Sequence, residues 1–335
     1  MSADTKTGVA MSQPKPYEDA TRSAADVASG RHHVTRPKPD KKRLRRSMMF
    51  MNAQRPGLIK DAYIYGVDSI MLDLEDAVAE NQKDAARFSL YHTLKTIDYG
   101  DTEVIVRING LDTPYWREDV RVCVAGGADG IRIAKCENAQ MVHDVEDAVL
   151  AAEREFGVEE GRTLLMAALE SPLGIMNAYE ICTASDRMLG CAISGGDFRK
   201  SMRVQIEPDG VEMAAARGTM LLAARAAGVQ CLDTMYPKLD DEEGFRREVD
   251  LVHRMGFDGK SIINPKQIAY IHEVFRPTDK QIAESEHILL SCQQQTDAGI
   301  GVYVVDGKMV DPPFYEEAQR IIDMAKKCGV YHGAL

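Results

Sequence analysis

No stretch of eighteen or more apolar residues occurs in the 335-residue chain, so an ordinary membrane span is not expected. The opening, MSADTKTGVAMSQPKPYEDA, has neither the basic start nor the apolar core of a secretory leader, and a cytoplasmic location is the default expectation. Cys-x-x-Cys is missing. The seven cysteines, Cys123, Cys136, Cys182, Cys191, Cys231, Cys292 and Cys328, are odd in number and scattered, which argues against a disulfide framework or zinc knuckle and for small buried apolar residues. Neither G-x-G-x-x-G nor G-x-x-x-x-G-K-[ST] is present, so dinucleotide and P-loop chemistry have no anchor. G-x-S-x-G is missing too, which removes the usual signal for Ser-His-Asp hydrolysis. Histidine is sparse, and the one adjacent pair, His32-His33, lies in a polar N-terminal stretch.

What the chain does have is an ordinary globular composition, 44% hydrophobic and 28% charged, and an uneven charge distribution. Arg31 to Arg46 holds eight Lys/Arg against one Asp; with this stretch at +7 and the whole chain at −11, the remainder carries −18. No aromatic RNA-binding signature accompanies the basic cluster, so nucleic-acid binding is not expected. Residues 1–42 read as a disordered or loosely docked basic extension.

Beyond Arg46, short β-prone runs alternate with stretches of helical spacing. Strands are expected at 47–53, 69–75, 103–109, 130–135, 164–170, 188–194, 230–236 and 260–264. Helices are expected near 57–65, 82–95, 116–125, 138–155, 172–183, 211–227, 241–255 and 266–275. Eight strand-helix units in about 230 residues imply an α/β fold, the TIM (β/α)8 barrel, over 43–278. A doubly wound open sheet is the other arrangement that such alternation allows. Residues 279–335 read as a C-terminal helical and hairpin lid or oligomerisation segment, with a hairpin around Asp306-Gly307 and a last helix near 314–328.

In such a barrel, charged residues at the C-terminal ends of strands point into the mouth. Asp73 and Glu75 alternate on one face after the second strand, Arg107 ends the third, Lys135 the fourth and Glu170 the fifth, while Asp197 follows the sixth. Glu170 and Asp197 follow adjacent strands. Two carboxylates brought to one point need a cation or a shared proton, and with no His or Cys cluster nearby the hard ion Mg²⁺ suits them. Arg107 suits a carboxylate or a developing oxyanion. Gly195 and Gly196 offer backbone N–H groups to an anionic substrate. Asp73, Glu75 and Lys135 complete the expected substrate-binding set.

Taken in order, RRSMMF, LDLEDAV, VRING, ALESPLGI, SGGDF, GFDGKSIINPKQI and GKMVD resemble the citrate lyase β-subunit family, within the wider HpcH/HpaI aldolase group that includes malyl-CoA and citramalyl-CoA lyases. The resemblance runs from about Arg43 to about Lys326. It implies Mg²⁺-dependent cleavage of a citryl thioester on an acyl carrier protein to oxaloacetate and the acetyl thioester. It also implies assembly into homotrimers or larger oligomers, with citrate lyase α and acyl-carrier subunits as further partners. By motif position, Glu170 and Asp197 resemble the metal ligands and Arg107 the oxo-acid-binding residue. Asp311 resembles an acid/base contributed by a neighbouring subunit's lid. Arg46, Lys60, Lys83 and Arg87 match positions near the thioester carrier or CoA. The chain departs from the family at MNAQRP, where Arg55 replaces a usual Asn; at IAK for LPK; in the loop after Asp197; and at YPK, which puts Lys238 where an acid is common. Two other readings fit the same residues: a stand-alone malyl-CoA or citramalyl-CoA lyase, and a non-catalytic barrel with a scaffold or regulatory role.

Overall fold

Runs of Ile, Val, Leu and Met become parallel strands here because both of their faces are buried, one toward a common axis and one under helices. The computed structural model describes residue 34, residues 36–297 and residues 303–335. Its strands are β1 (Ser47–Asn52), β2 (Ser69–Asp73), β3 (Glu103–Arg107), β4 (Gly130–Ile133), β5 (Leu164–Leu169), β6 (Met188–Ile193), β7 (Gln230–Asp233) and β8 (Gly259–Ile262). They pair in sequence order, and β8 returns to β1 through Ser47↔Lys260 and Met48↔Ser261, which closes the expected TIM barrel. At that seam the backbones pass closely: a Cβ on residue 259 would lie 1.9 Å from the Arg45 carbonyl oxygen, so only glycine fits.

The helices are α1 (Pro56–Ile59), α2 (Lys83–Thr96), α3 (Trp116–Gly126), α4 (Ala139–Phe156), α5 (Pro172–Met176), α6 (Ala178–Thr183), α7 (Gly195–Met202), α8 (Val211–Ala227), α9 (Glu242–Met255), α10 (Ile268–Val274), α11 (Asp279–Asp297) and α12 (Pro312–Lys327). Three details differ from expectation. The helix read near 57–65 is split into α1 and a separate 3-10 turn at Ala62–Tyr65. The helix read over 172–183 breaks at Asn177, whose Nδ2 donates to the Glu137 carbonyl at 2.8 Å. An additional helix, α7, starts directly after β6.

Outward strand residues and helix faces form one large core, while Met48, Met71, Ile105, Met166, Leu189 and Leu232 fill the barrel's lower interior. Six cysteines are buried and Cys328 half-buried, none in a disulfide.

The basic stretch is not loose where the structure describes it. Residues 1–33 and 35, with His32-His33, lie outside the described residues, but residues 36–46 plug the N-terminal end of the barrel. Arg36 reaches Asp129 at 2.6 Å and the Thr102 carbonyl at 2.7 Å. Arg45 is fully buried and bidentate to Glu103 at 2.7 and 2.8 Å, while its Nη1 donates to Gln230 at 2.6 Å. Arg46 grips Asp68 with two bonds of 2.8 Å.

The C-terminal segment docks at this same end. Apolar residues of α11 and α12, among them Ile282, Leu289, Ala318 and Ile322, pack on one another. The hairpin β9 (Tyr303–Val305) and β10 (Lys308–Val310) turns at Asp306-Gly307 as the sequence predicts. From Tyr315 to Lys327, α12 runs beside Lys42, Arg43, Leu44 and Gln230, and Lys327 Nζ donates to the Lys42 carbonyl at 2.7 Å. The expected lid therefore does not cover the mouth of its own barrel.

Candidate active site

Strand parity decides which side chains face the axis. Phe50, Asp73 and Arg107 stand two positions above the interior residues Met48, Met71 and Ile105, and Arg132 pairs in register with Arg107. A charged layer thus lies over the apolar floor, at the C-terminal end. Arg107 and Arg132 flank the Phe50 ring, their guanidinium carbons 5.4 and 5.2 Å from its centre.

Arg107 donates from Nε and Nη2 to the two oxygens of Asp73, at 2.8 and 2.6 Å, and its Nη1 sits 2.8 Å from Glu75 Oε2. The other oxygen of Glu75 accepts from Lys135 Nζ at 2.7 Å. Lys135 has left-handed backbone at φ 49, an uncommon conformation without glycine, which turns the chain sharply after β4. The result is a continuous row, Asp73, Arg107, Glu75, Lys135. Burial works to raise the Asp73 carboxyl, but the bonds and charge of Arg107 outweigh it and hold the group below the usual range. The bond to Glu75 raises Lys135.

Glu170, at the end of β5, is buried, and its Oε1 accepts from Ser194 Oγ at 3.2 Å while Oε2 has no hydrogen-bond partner. Burial, then the nearby charge of Glu75, push its carboxyl up to about 7, against the pull of Arg107 and Arg132. Arg132 is 1% exposed; its Nη2 donates to Ser194 Oγ at 2.9 Å, and its Nε and Nη1 have no partner. Burial, then the like charge of Arg107, lower it to about 10. An unmet buried donor costs about 1–3 kcal/mol, so this layer is expensive unless something offsets it.

Asp197 lies in the first turn of α7 and shares with Glu170 a cavity of about 680 Å³, which Lys135, Glu137, Ser171 and Lys200 also line. Arg107 is not among the residues that line it, but its charge acts on Glu170. Among the described residues no three His, Cys, Asp or Glu gather on one point. A cation at this cavity would take the two carboxylates and fill its remaining positions with water or substrate oxygens, as hard oxygen-preferring ions do.

Several expected contacts fall elsewhere. The Gly195 N–H is taken by Thr234 Oγ1 at 2.9 Å, and a Cβ on residue 195 would crowd that same atom, so this glycine serves packing rather than an anion; Gly196 is exposed on the first turn of α7. Arg46 lies at the closed end of the barrel, opposite the mouth. Lys83 is buried, its Nζ donating to the Leu74 and Glu75 carbonyls at 2.9 and 2.8 Å, and so braces the β2 terminus. Arg87 joins α2 to the buried Asp119 at 3.0 Å. All three are engaged in internal bonds. Lys60 stays at the surface beside Asp61. Asp311 is exposed at the N-cap of α12, one turn from Tyr315, on the closed-end side.

Sequence reasoning passed over Phe50, Arg132 and Ser194. A signal existed for Arg132: a charge between Ile131 and Ile133 in a central strand must face the axis.

The profile of HpcH/HpaI aldolase/citrate lyase matches residues 46–265. Citrate lyase subunit beta of Leuconostoc mesenteroides is 48% identical over 283 residues, 84% of this chain and 94% of that protein. A (3S)-malyl-CoA thioesterase of Cereibacter sphaeroides is 36% identical over 266 residues, 79% of this chain and 89% of that protein. Among solved structures, the CitE protein of Mycobacterium tuberculosis in complex with magnesium, acetoacetate and coenzyme A superposes with a TM-score of 0.67 at 27% identity, covering 87% of this chain and all of that one. A strand-by-strand barrel, acids at the ends of β5 and β6 and these similarities agree: the chain belongs to the HpcH/HpaI aldolase/citrate lyase family, a family of carbon–carbon lyases.

Proposed function

We propose that the chain is a Mg²⁺-dependent lyase that cleaves a citryl thioester into oxaloacetate and an acetyl thioester, with an acyl carrier protein as the thioester's bearer. The observation that carries this reading is the shared cavity of Glu170 and Asp197, with Glu170 Oε2 unpartnered beside it. The donor set suits the ion: two carboxylates, oxygen only, with room for water and substrate. Glu170 and Asp197 would hold it, and a bound Mg²⁺ would polarise the substrate's hydroxyl and neighbouring carboxylate.

Arg107, its plane fixed by Asp73 and Glu75, binds the oxo-acid end and offsets charge on the forming carbonyl oxygen. Lys135 holds Glu75 in that row. The hydroxyl gives its proton to water at the open mouth, the bond between the hydroxyl-bearing carbon and the thioester α-carbon breaks as the carbonyl forms, and the electron pair passes to the α-carbon, which then takes up a proton. Asp311 of a second copy supplies it. The docking of α12 at the closed end of its own barrel supports that assignment and, with it, a homotrimer or larger assembly. Citrate lyase α and acyl-carrier subunits are the further partners this reading carries. The similarity to malyl-CoA thioesterases favours a second reading, cleavage of malyl-CoA or citramalyl-CoA.

Supplying the purified protein with Mg²⁺ and either carrier-linked citryl, citryl-CoA or malyl-CoA separates these readings. Oxaloacetate release from the citryl thioesters is expected, falling by about 10³-fold or more in Glu170→Gln, since an essential ligand is lost. Glyoxylate from malyl-CoA without oxaloacetate from citryl substrates would install the second reading, and no oxo acid from any of them would sink both. Mixing Asp311→Ala with Glu170→Gln protein should restore part of the activity that neither has alone. No recovery would remove Asp311 from the chemistry of a second copy.

A further inference from the structure

Arg132 stands out among the three fully enclosed arginines, since Arg217 leaves only Nη1 without a partner and Arg45 leaves none. Arg45 spends Nε, Nη1 and Nη2 on protein acceptors, as an arginine kept for stability does. Arg132 spends only Nη2, on Ser194 Oγ, and leaves Nε and Nη1 bare in the barrel. Its enclosure keeps it from the cavity, so it does not touch a ligand there.

A serine hydroxyl carries one hydrogen and two lone pairs. Because Arg132 donates to Ser194 Oγ, the hydroxyl hydrogen is turned the other way, toward Glu170 Oε1 at 3.2 Å. Oε1 is thereby anchored and Oε2 left open. The charges run the same way. Arg107 is committed to Asp73 and Glu75, and Lys135 to Glu75, so of the cations in this layer Arg132 is the one linked, through Ser194, to Glu170.

We propose that Arg132 and Ser194 form a positioning relay that holds Glu170 with one oxygen anchored and the other presented to the cation. This deepens the metal reading and rests on it. Partners that orient a metal ligand typically control affinity by about 10–100-fold.

The test is calorimetric titration of Mg²⁺ into metal-free full-length protein, with thermal melting to confirm folding. Glu170→Gln should abolish binding. Arg132→Met and Ser194→Ala should each weaken it by about 10–100-fold. Their double variant should be no weaker than the weaker single, because both break one unit. Ser194→Thr, which keeps a hydroxyl, should recover most of the affinity. Ser194→Ala removes a single oxygen and carries the test alone if Arg132→Met does not fold. Singles that bind as wild type or more tightly, or effects that multiply in the double, would overturn the relay while Glu170→Gln still reports a true ligand. If Glu170→Gln itself binds Mg²⁺ like wild type, the metal reading fails and the relay goes with it.

Discussion

Both ends of this barrel bury charged side chains, and they use them differently. At the closed end, Glu103 accepts from Arg45 twice and from Ser69 once, Asp129 is shared by Arg36, Arg162 and the Val104 N–H, and Arg46 matches Asp68. At the mouth, Glu170 Oε2 and two donors of Arg132 are left without partners. A buried ion pair contributes little by itself, but breaking one by removing a single partner is severe. The lesson is that the closed-end carboxylates are matched, with Arg43 Nε and Thr163 Oγ1 the atoms left over there, whereas the mouth leaves a buried carboxylate oxygen open to a ligand.

Arg107→Ala should break this contrast most visibly, because Arg107 belongs to both categories. Its loss is expected to lower kcat/KM by about 10²–10³-fold, the scale of one missing oxyanion-stabilising donor. It should also destabilise the fold by about 3–5 kcal/mol, because Asp73 loses its cation and Glu75 keeps only Lys135. Turnover measured beside urea unfolding reads both, and a variant that loses neither would show that the row is not holding the mouth.

Arg45→Met sharpens the contrast from the other side. It should cost about 3–5 kcal/mol in urea unfolding, since Glu103 is left buried and charged, while the folded enzyme keeps its kcat within about twofold. A kcat that falls with stability intact would contradict the division between the ends.

The smallest effect is a pH dependence. Glu153 receives Arg187 and the Thr163 and Gly161 N–H groups at the closed end; burial works to raise its carboxyl, but these partners hold it below the usual glutamate range. Its contribution is therefore complete at neutral pH and is lost as pH falls through the depressed folded value. Wild type should exceed Glu153→Gln by about 1–3 kcal/mol at pH 7, with the gap narrowing below about pH 4. A gap that does not change with pH would show that the carboxyl's charge contributes nothing.

Most of the barrel was readable from the chain because period and spacing are local. All eight strands fall where the apolar runs predicted, each ending one to three residues early, where pairing stops and the residue turns into the mouth. The acids at the mouth were readable for the same reason, since Glu170 and Asp197 end or follow strands. What was not readable depends on partners far away in sequence. Residues 36–42 looked loose for want of apolar periodicity, yet Arg36 finds Asp129, 93 residues on. Nothing local in the chain marks that the fold turns Lys83 onto carbonyls of the β2 terminus and Arg87 onto Asp119. The α7 helix was missed because Gly195-Gly196 argues for a turn, and only the bond to Thr234 shows why a helix begins there.

The tight backbone crossing at Gly259 also bears on how the chain is made. The strand that seals the ring is the last of the barrel's eight to leave the ribosome, so until about residue 262 has emerged, the first strand keeps one flank of unpaired amides and carbonyls open to other chains. A synthesis that stalls short of that point yields a sticky sheet rather than a smaller enzyme.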